Sequence, residues 1–380
     1  MFKSYLKRIY GFIIFHFMWL FPIKKEKVFF SCFSGKRYGD NPKYISQRLA
    51  KEYPNIKQIW TYRYTPFNDL DKNIVQVKWL SFAMIYHIAT SKIWVDSHIK
   101  PEWVYKRKKQ FYIETWHGGL GFKKIGLDAE EKISDVEIAR MKRNSKMVDI
   151  MLSNADWTTN VYRKAFGYKG EILKIGFPKS DYLLNNTNFM KENVRRHYKL
   201  SSDTKIAFYA PTMRDNPTIE TFNIDHKKVL ETLKNKFGGK WIFMVRLHPV
   251  NENFQEKLFY DGSLNGMEYS DMQELIGACD IYISDYSGSI FDAALISKPI
   301  FIFANDQLSY EAERGLYMSI SELPFPVAAN SIELCNNIIN IDLEKYNNEV
   351  LEYFDSVALE ENGKSTDEII KKIINKIKEK

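Results

Sequence analysis

Four short loops carry the residues of this 380-residue chain best suited to chemistry. Thr115-Trp116-His117-Gly118-Gly119-Leu120-Gly121 sets one imidazole beside three glycines. Glycine lets a backbone approach a ligand closely, and an imidazole with a pKa of about 6.5 can take up a proton at neutral pH. A turn histidine capped by backbone is the other reading, and the glycine context favours the functional one. Pro211-Thr212-Met213-Arg214-Asp215 offers a planar guanidinium that can clamp phosphate, or an Arg214–Asp215 surface ion pair. In Arg246-Leu247-His248-Pro249 the proline forces the chain out of strand or helix geometry, so His248 lies on a turn. There it can donate a hydrogen bond to a phosphate oxygen or be a satisfied structural residue. Asp285-Tyr286-Ser287-Gly288-Ser289 precedes a helical stretch starting at about Ile290. Such a helix start presents N–H groups to an anion, and Ser287 and Ser289 add hydroxyls; plain N-capping accounts for the same pattern. Together, two histidines and two arginines can neutralise a diphosphate and supply a base. No carboxylate cluster suited to Mg²⁺ stands out, so neither a bound metal nor another cofactor is expected. The absence of GxxxxGK[ST] excludes a P-loop ATPase.

These loops follow apolar runs of four to six residues that read as strands. In the first half the runs are Val28–Cys32, Ile59–Tyr62, Ile93–Asp96, Phe111–Glu114, Ile150–Ser153 and Ile172–Ile175. In the second they are Ile206–Ala210, Trp241–Val245, Ile281–Ser284 and Pro299–Phe303. Longer helix-like stretches separate them, the pattern of a parallel sheet. Residues 180–204 are polar and read as the boundary, with a helical piece near Glu192–Tyr198. The expected fold is α/β: two doubly wound, Rossmann-like domains, residues 28–185 and 186–365, facing a cleft. Ligands of open parallel sheets bind beyond the carboxyl ends of the strands, where all four loops fall. Thr366–Lys380 reads as an amphipathic helix with its isoleucines on one face.

Of the net charge of +8, residues 1–27 supply +5, from six basic residues and one acid. The excess sits beside Gly11–Ile23, GFIIFHFMWLFPI, which is apolar except for His16. A nucleic-acid binder spreads basic charge over a groove-reading element, so no nucleic acid is expected as a partner. A bilayer span needs about 20 apolar residues, more than this segment has, and no signal-peptide cleavage site follows. Residues 1–27 are therefore read as a monotopic anchor with aromatics at the headgroups and Lys/Arg toward anionic lipid; the other reading is an amphipathic helix packed on the body. Three dispersed cysteines, Cys32, Cys279 and Cys335, form neither a zinc motif nor a disulfide framework. The basic runs Lys106–Lys109 and Lys123-Lys124 either guide a polyanion or are solvated loop charges.

TWHGGLGFKKIG, APTMRD, RLHP, SDYSGSIFDAALISKP followed by ERGLY, and the opening FFSCFSGKRYGDNPKYI, taken as an ordered set, resemble the CDP-glycerol glycerophosphotransferase family, which primes and polymerises wall teichoic acids. The likeness runs from about Lys27 to about Ala328. It implies a glycosyltransferase-B-like fold, a peripheral position on the cytoplasmic side of the cell membrane, and a donor bound mainly by the C-terminal domain. The implied activity is transfer of a polyol phosphate from CDP-glycerol or CDP-ribitol to a polyprenyl-diphosphate-linked saccharide or a growing poly(polyol phosphate), in teichoic acid or capsule synthesis. His117 matches the family's proposed base and His248 the histidine that holds the donor phosphate. Trp116, Gly118 and Gly119 flank the base. Pro211, Thr212, Arg214, Arg246, Asp285, Ser287, Gly288 and Ser289 fall in the donor-binding stretches. Lys179 stands where relatives often have Arg, and Ser270 and Glu274 fall in a stretch implied to meet cytidine. The chain departs from the pattern at Gly119-Leu120, where relatives usually carry Thr-Pro, at Met213 in place of Trp, and at Gly288 in place of a second Ser. The first departure bears on acceptor or polyol specificity; the last removes a side-chain phosphate contact and keeps the amides. A sugar-nucleotide glycosyltransferase and a non-catalytic membrane scaffold are the alternative readings.

Overall fold

The computed structural model describes residues 2–68, 70–254 and 262–379. The chain divides into two compact units: residues 1–119, 125–181 and 360–380 form the first, and residues 120–124 and 182–359 the second.

In the first unit, α1 (Phe2–Phe17) leads into β1 (Lys24–Ser31), α2 (Asp40–Glu52), β2 (Lys57–Tyr62), β3 (Ile74–Lys78), α3 (Phe82–Thr90), β4 (Ser91–Asp96) and β5 (Phe111–Glu114). Then come α4 (Asp135–Met147), β6 (Ile150–Ser153), α5 (Asp156–Ala165), β7 (Glu171–Lys174) and α6 (Pro178–Asn185). The seven strands form one parallel sheet in the order β3-β2-β1-β4-β5-β6-β7. Both faces are covered, which explains why its strands read as continuous apolar runs rather than alternating ones. Phe29, Trp94 and Met151 point into one core layer with Phe15, Ile88 and Tyr162. Val28, Phe30, Ile93, Val95, Ile150 and Leu152 point into the other with Ile45 and Leu49. The strand order reverses between β1 and β4, so the loops after those strands diverge and leave a crevice at their carboxyl ends.

The second unit contains α7 (Thr187–His197), β8 (Thr204–Tyr209), α8 (His226–Phe237), β9 (Lys240–Val245), β10 (Leu264–Asn265), α9 (Met272–Ala278) and β11 (Ile281–Ser284). It continues through α10 (Ser289–Leu295), β12 (Ile300–Phe303), α11 (Gln307–Arg314), β13 (Val327–Ala328), α12 (Ser331–Asn340) and α13 (Leu343–Ser356). Its parallel sheet runs β10-β9-β8-β11-β12-β13, with the reversal between β8 and β11.

Three features differ from the sequence reading. The polar stretch 180–204 is largely helical, because α7 turns Met190 and Val194 inward and its charged residues outward. The unit boundary falls inside α6, and residues 360–380 return to the first unit. There α14 (Ser365–Lys378) buries Ile369, Ile370, Ile373 and Ile374 against the β1 face of the sheet, in the core layer that holds Ile45 and Leu49. Edge strands β3, β10 and β13 went unread; two of them are two residues long and carry no periodic signal.

Helix α1 is amphipathic. Phe15 and the following Met18 are buried, whereas Tyr10, Ile13, Phe17 and Leu20 are 57–76% exposed. No helix among the described residues is long and apolar enough to cross a membrane. The side chains of residues 2–8, including Lys3, Lys7 and Arg8, lie outside the description. Lys24 and Lys25 are exposed, but Lys27, read as lipid-facing, is buried. Its ammonium bonds Thr90 and sits beside His87 and over the Tyr86 ring. Burial pulls its pKa down to about 7, with Lys24 and Lys57 adding to the effect.

Candidate active site

In the first unit the glycine loop follows β5, next to β4 at the strand reversal. The loop is clamped from below. Thr115 donates both its N–H and its hydroxyl to the Asp96 carbonyl, at 2.8 and 3.1 Å. The Trp116 N–H reaches Glu114 Oε1 at 3.0 Å, and Trp116 holds a left-handed φ of 52°. Asp96 is buried and paired with Lys100; Glu114 accepts the Tyr112 hydroxyl at 2.6 Å. Burial pushes both carboxyls above the usual range, Glu114 to about 8 with Asp96 adding to it, while Lys100 opposes the rise. These groups serve the loop's geometry from beneath.

His117 emerges half-buried from this base, its ring 4.2 Å from Trp116 and 4.7 Å from Phe33. Its Nδ1 lies 2.9 Å from the Ser97 carbonyl oxygen. A carbonyl only accepts, so Nδ1 carries a proton, and in the neutral ring Nε2 is the acceptor, the form a general base needs. Neighbouring His98 is held neutral: burial pulls its pKa down to about 3, and His117 contributes the next largest effect. Asn41 joins Lys179 to the loop, accepting the Lys179 N–H at 3.1 Å and donating to the Trp116 carbonyl at 3.4 Å. Gly119 is a packing requirement, because a Cβ there would lie 2.5 Å from the Asn154 side chain. Asn154 is in turn tied to Thr158 at 2.9 Å and to the Glu360 N–H at 2.7 Å. Tyr162 bonds the Gly118 carbonyl.

In the second unit, the loops after β8 and β11 meet at that sheet's own reversal. Asp285 Oδ1 accepts the N–H groups of Thr212 and Tyr286, both at 2.7 Å, and its Oδ2 accepts Arg214 Nη2 at 2.9 Å. Arg214 makes a two-pronged pair with Asp306 at 2.6 and 2.9 Å, donates to the Thr212 carbonyl at 2.7 Å, and lies over the stacked Tyr286 and Tyr310 rings. Four of its five N–H donors are taken, so Arg214 orders this loop and has no two-pronged clamp left for phosphate. The alternative surface pair is replaced too, since Asp215 pairs with Arg314. Asp285 is likewise a positioning residue.

Beyond Asp285, the Ser287 and Ser289 hydroxyls are 2.7 Å apart, and Ser289 also meets Tyr282 at 2.7 Å. The Ser289 N–H turns back to Ser287 Oγ, and the Ile290 N–H to the Ser287 carbonyl. The anion-facing amides expected here thus reduce to those of Ser287 and Gly288, which have no acceptor among the described residues. A Cβ at Gly288 would lie 2.9 Å from the Leu120 carbonyl oxygen, so a second serine does not fit. Buried Thr212 Oγ1 has no partner among the described residues. A buried hydroxyl left so calls for an explanation, and a ligand supplies one.

His248, exposed after β9, accepts the Val250 N–H on Nδ1 at 3.2 Å. Its proton is therefore on Nε2, making that atom a donor, the opposite of His117. Arg246 donates to the Gly266 carbonyl at 3.0 Å and to that of Tyr269. Ser270 is exposed. Glu274 is taken up by Tyr182 at 2.8 Å, Tyr269 and Asn193, and so fastens α6 and α7 to α9. That occupancy leaves it a structural role rather than the cytidine contact expected. Pro211 is buried at the mouth of its loop.

The basic runs divide. Lys106 pairs with Asp149 at 2.5 Å and Arg107 donates to the Phe21 carbonyl at 2.8 Å, while Lys108 and Lys109 are exposed. Lys123 is half-buried over Tyr310, with burial pulling its pKa down to about 8; Lys124 is exposed. Among the described residues no three His, Cys, Asp or Glu side chains are placed to hold a metal ion. Asn41, Ser97, Asn154 and Asp306 went unread, since nothing local in their surroundings marks them.

The profile of the CDP-glycerol:poly(glycerophosphate) glycerophosphotransferase family matches residues 13–375. The teichoic acid poly(glycerol phosphate) polymerase of Staphylococcus epidermidis is 30% identical over 377 residues, which cover 94% of this chain and 52% of that protein. This chain thus spans about half the length of that relative. A solved structure of a variant of the wall teichoic acid polymerase TagF superposes with a TM-score of 0.85 at 27% identity, covering 99% of this chain and 98% of that one. Another TagF variant, soaked with CDPG, gives a TM-score of 0.82 at 28% identity, covering 94% and 90%. With two parallel α/β sheets of the glycosyltransferase-B-like class, a glycine loop whose histidine is held by the Ser97 carbonyl, and a family match over most of its length, this chain belongs to the CDP-glycerol:poly(glycerophosphate) glycerophosphotransferase family.

Proposed function

We propose that this chain transfers glycerol phosphate or ribitol phosphate from a CDP-polyol to an acceptor hydroxyl, releasing CMP, in teichoic acid synthesis. The observation that carries the reading is the opposite tautomers of the two histidines. His117 offers a lone pair on Nε2 and His248 a proton on Nε2, the division of labour that acid–base assistance and oxyanion stabilisation require. His117 Nε2 takes the acceptor hydroxyl proton as that oxygen bonds to the β-phosphorus. The bond from the β-phosphorus to the bridging oxygen breaks, and its electron pair leaves with CMP. Charge on the phosphoryl oxygens is met by His248 Nε2–H, the Ser287 and Gly288 amides, and the Thr212, Ser287 and Ser289 hydroxyls, with Arg246 behind them. The CDPG soak of a related polymerase supports the donor class. Incubation with CDP-glycerol, CDP-ribitol and a panel of UDP- and GDP-sugars tests it. CMP release from a CDP-polyol with matching mass gain on the acceptor is expected; UDP or GDP release from a sugar nucleotide rejects it.

The acceptor is read as a polyprenyl-diphosphate-linked saccharide or a growing poly(polyol phosphate), in a wall or capsule pathway, with the protein peripheral on the cytoplasmic side of the cell membrane. Supporting this is the exposed apolar face of α1 beside Lys24 and Lys25. An adjoining groove is lined by Phe12, Trp103, Tyr105 and Val136, with Arg140 and Arg143 beside them. Apolar side chains flanked by cations suit an anionic lipid surface. The double substitution Ile13→Asp, Phe17→Asp should lower partition into phosphatidylglycerol-containing vesicles by roughly tenfold or more, since each side chain is worth about 1.5–3 kcal/mol when buried. Unchanged partition in a vesicle sedimentation assay rejects this face as the contact.

A further inference from the structure

The loop after β1 stands at the strand reversal of the first sheet and is used by none of the chemistry above. Its backbone is left-handed at three successive residues, Phe33 (φ 46°), Ser34 (57°) and Gly35 (77°), and again at Asp40 (55°). L-residues keep such angles only where the surroundings over-determine them, commonly at ligand loops. Here the Gly35 N–H bonds the Cys32 carbonyl at 3.0 Å, the Lys36 N–H bonds the Phe33 carbonyl at 3.3 Å, and the Gly35 carbonyl accepts the Arg63 N–H at 2.6 Å. The Phe33 N–H reaches Ser97 Oγ at 3.4 Å, on the same residue whose carbonyl holds His117.

This folding turns Lys36 and Arg37 outward, both exposed. Neither side chain makes a hydrogen bond or ion pair among the described residues. Arg37 rests its guanidinium 5.6 Å over the Phe33 ring, and that ring lies 4.7 Å from the His117 ring. Lys36 is near enough to His98, the neighbour of His117, to help depress its pKa. Asp40 is the carboxylate of this loop, and its Oδ1 caps the Asn41 N–H at 2.8 Å. Two cations and a base thus share one rim of a single unit.

We propose that Lys36 and Arg37 form an acceptor-side anion subsite that grips a phosphodiester one polyol away from the hydroxyl facing His117. The proposal rests on His117 being the base. In a poly(polyol phosphate) the terminal hydroxyl and the last phosphodiester sit at opposite ends of one short polyol. A cation pair on the rim that carries the base can meet that phosphodiester, and guanidinium and ammonium are its natural partners. A saccharide not yet carrying a polyol phosphate has no anion there. The two residues therefore set the preference for extending a chain over starting one.

The test uses the full chain, a CDP-polyol, and two soluble saccharide acceptors alike except that one ends in a polyol phosphate. Removing charge-assisted hydrogen bonds of this kind costs roughly ten- to hundredfold. K36A/R37A should raise KM for the phosphate-bearing acceptor by about that factor, with kcat and donor KM within about threefold. The acceptor without phosphate should change little, and R37K should recover part of the loss. Calorimetric titration of a poly(glycerol phosphate) oligomer, without donor, should show the same weakening independently of turnover. Equal loss on both acceptors, or no loss on either, overturns the subsite. A wild-type chain that releases CMP from no CDP-polyol, yet binds the oligomer through Lys36 and Arg37, would sink the transferase reading and leave the subsite standing.

Discussion

His117→Ala is expected to reduce kcat by roughly 10²–10⁴, the span that a positioned general base contributes, while CDP-polyol affinity stays within a few-fold. The expectation follows from one contact. The Ser97 carbonyl holds the proton on Nδ1 and so commits Nε2 to accept. The groups proposed to hold the donor lie in the second unit and His117 in the first, so the substitution is expected to leave donor contacts in place. The ring packs against Trp116 and Phe33, so a modest fall in Tm is expected beside the catalytic loss. Single-turnover CMP release with radiolabelled donor, alongside equilibrium donor binding, separates the two effects. Turnover within tenfold of wild type would remove His117 from the mechanism.

Arg214→Met is expected to cost about 3–5 kcal/mol of folding stability, the range for breaking a buried ion pair by deleting one partner. The side chain is 5% exposed and serves two carboxylates, Asp285 and Asp306. Without it the buried Asp285 loses its hydrogen-bonded counter-ion and retains the Thr212 and Tyr286 amides, and the Thr212 carbonyl loses its donor. Donor binding should weaken as a consequence, because Thr212 and Ser287 hang from the same loops. Arg214→Lys should fail as well, since an ammonium cannot reproduce the two-pronged contact with Asp306. Denaturant unfolding and donor titration on the same preparations decide the matter. Weakened donor binding at unchanged stability would instead make Arg214 a ligand contact.

Most of the strands were legible because both sheets are buried on both faces, so strands such as VFFS and IYIS have no exposed position to break the run. The edge strands were not: Ile74–Lys78, IVQVK, exposes every second or third residue, and β10 and β13 are too short to show a period. The loops at strand ends were legible for a related reason. Glycines, serines and histidines directly after an apolar run have no core to enter. Their division of labour was not, because Arg214 reads the same whether it faces solvent, phosphate or Asp306.

Composition and order alone determined the two α/β halves, the family likeness and the choice of His117 and His248, since each is set by residues adjacent in the chain. Tertiary structure alone decided which nitrogen of the His117 imidazole carries the proton, because Ser97 is 20 residues from His117 and reaches it only across neighbouring strands. It also decided that Arg214 and Glu274 are taken up by internal partners, each with one 92 residues away. Hydrogen-bond partners drawn from distant strands leave no mark on local sequence, whereas burial and turns do.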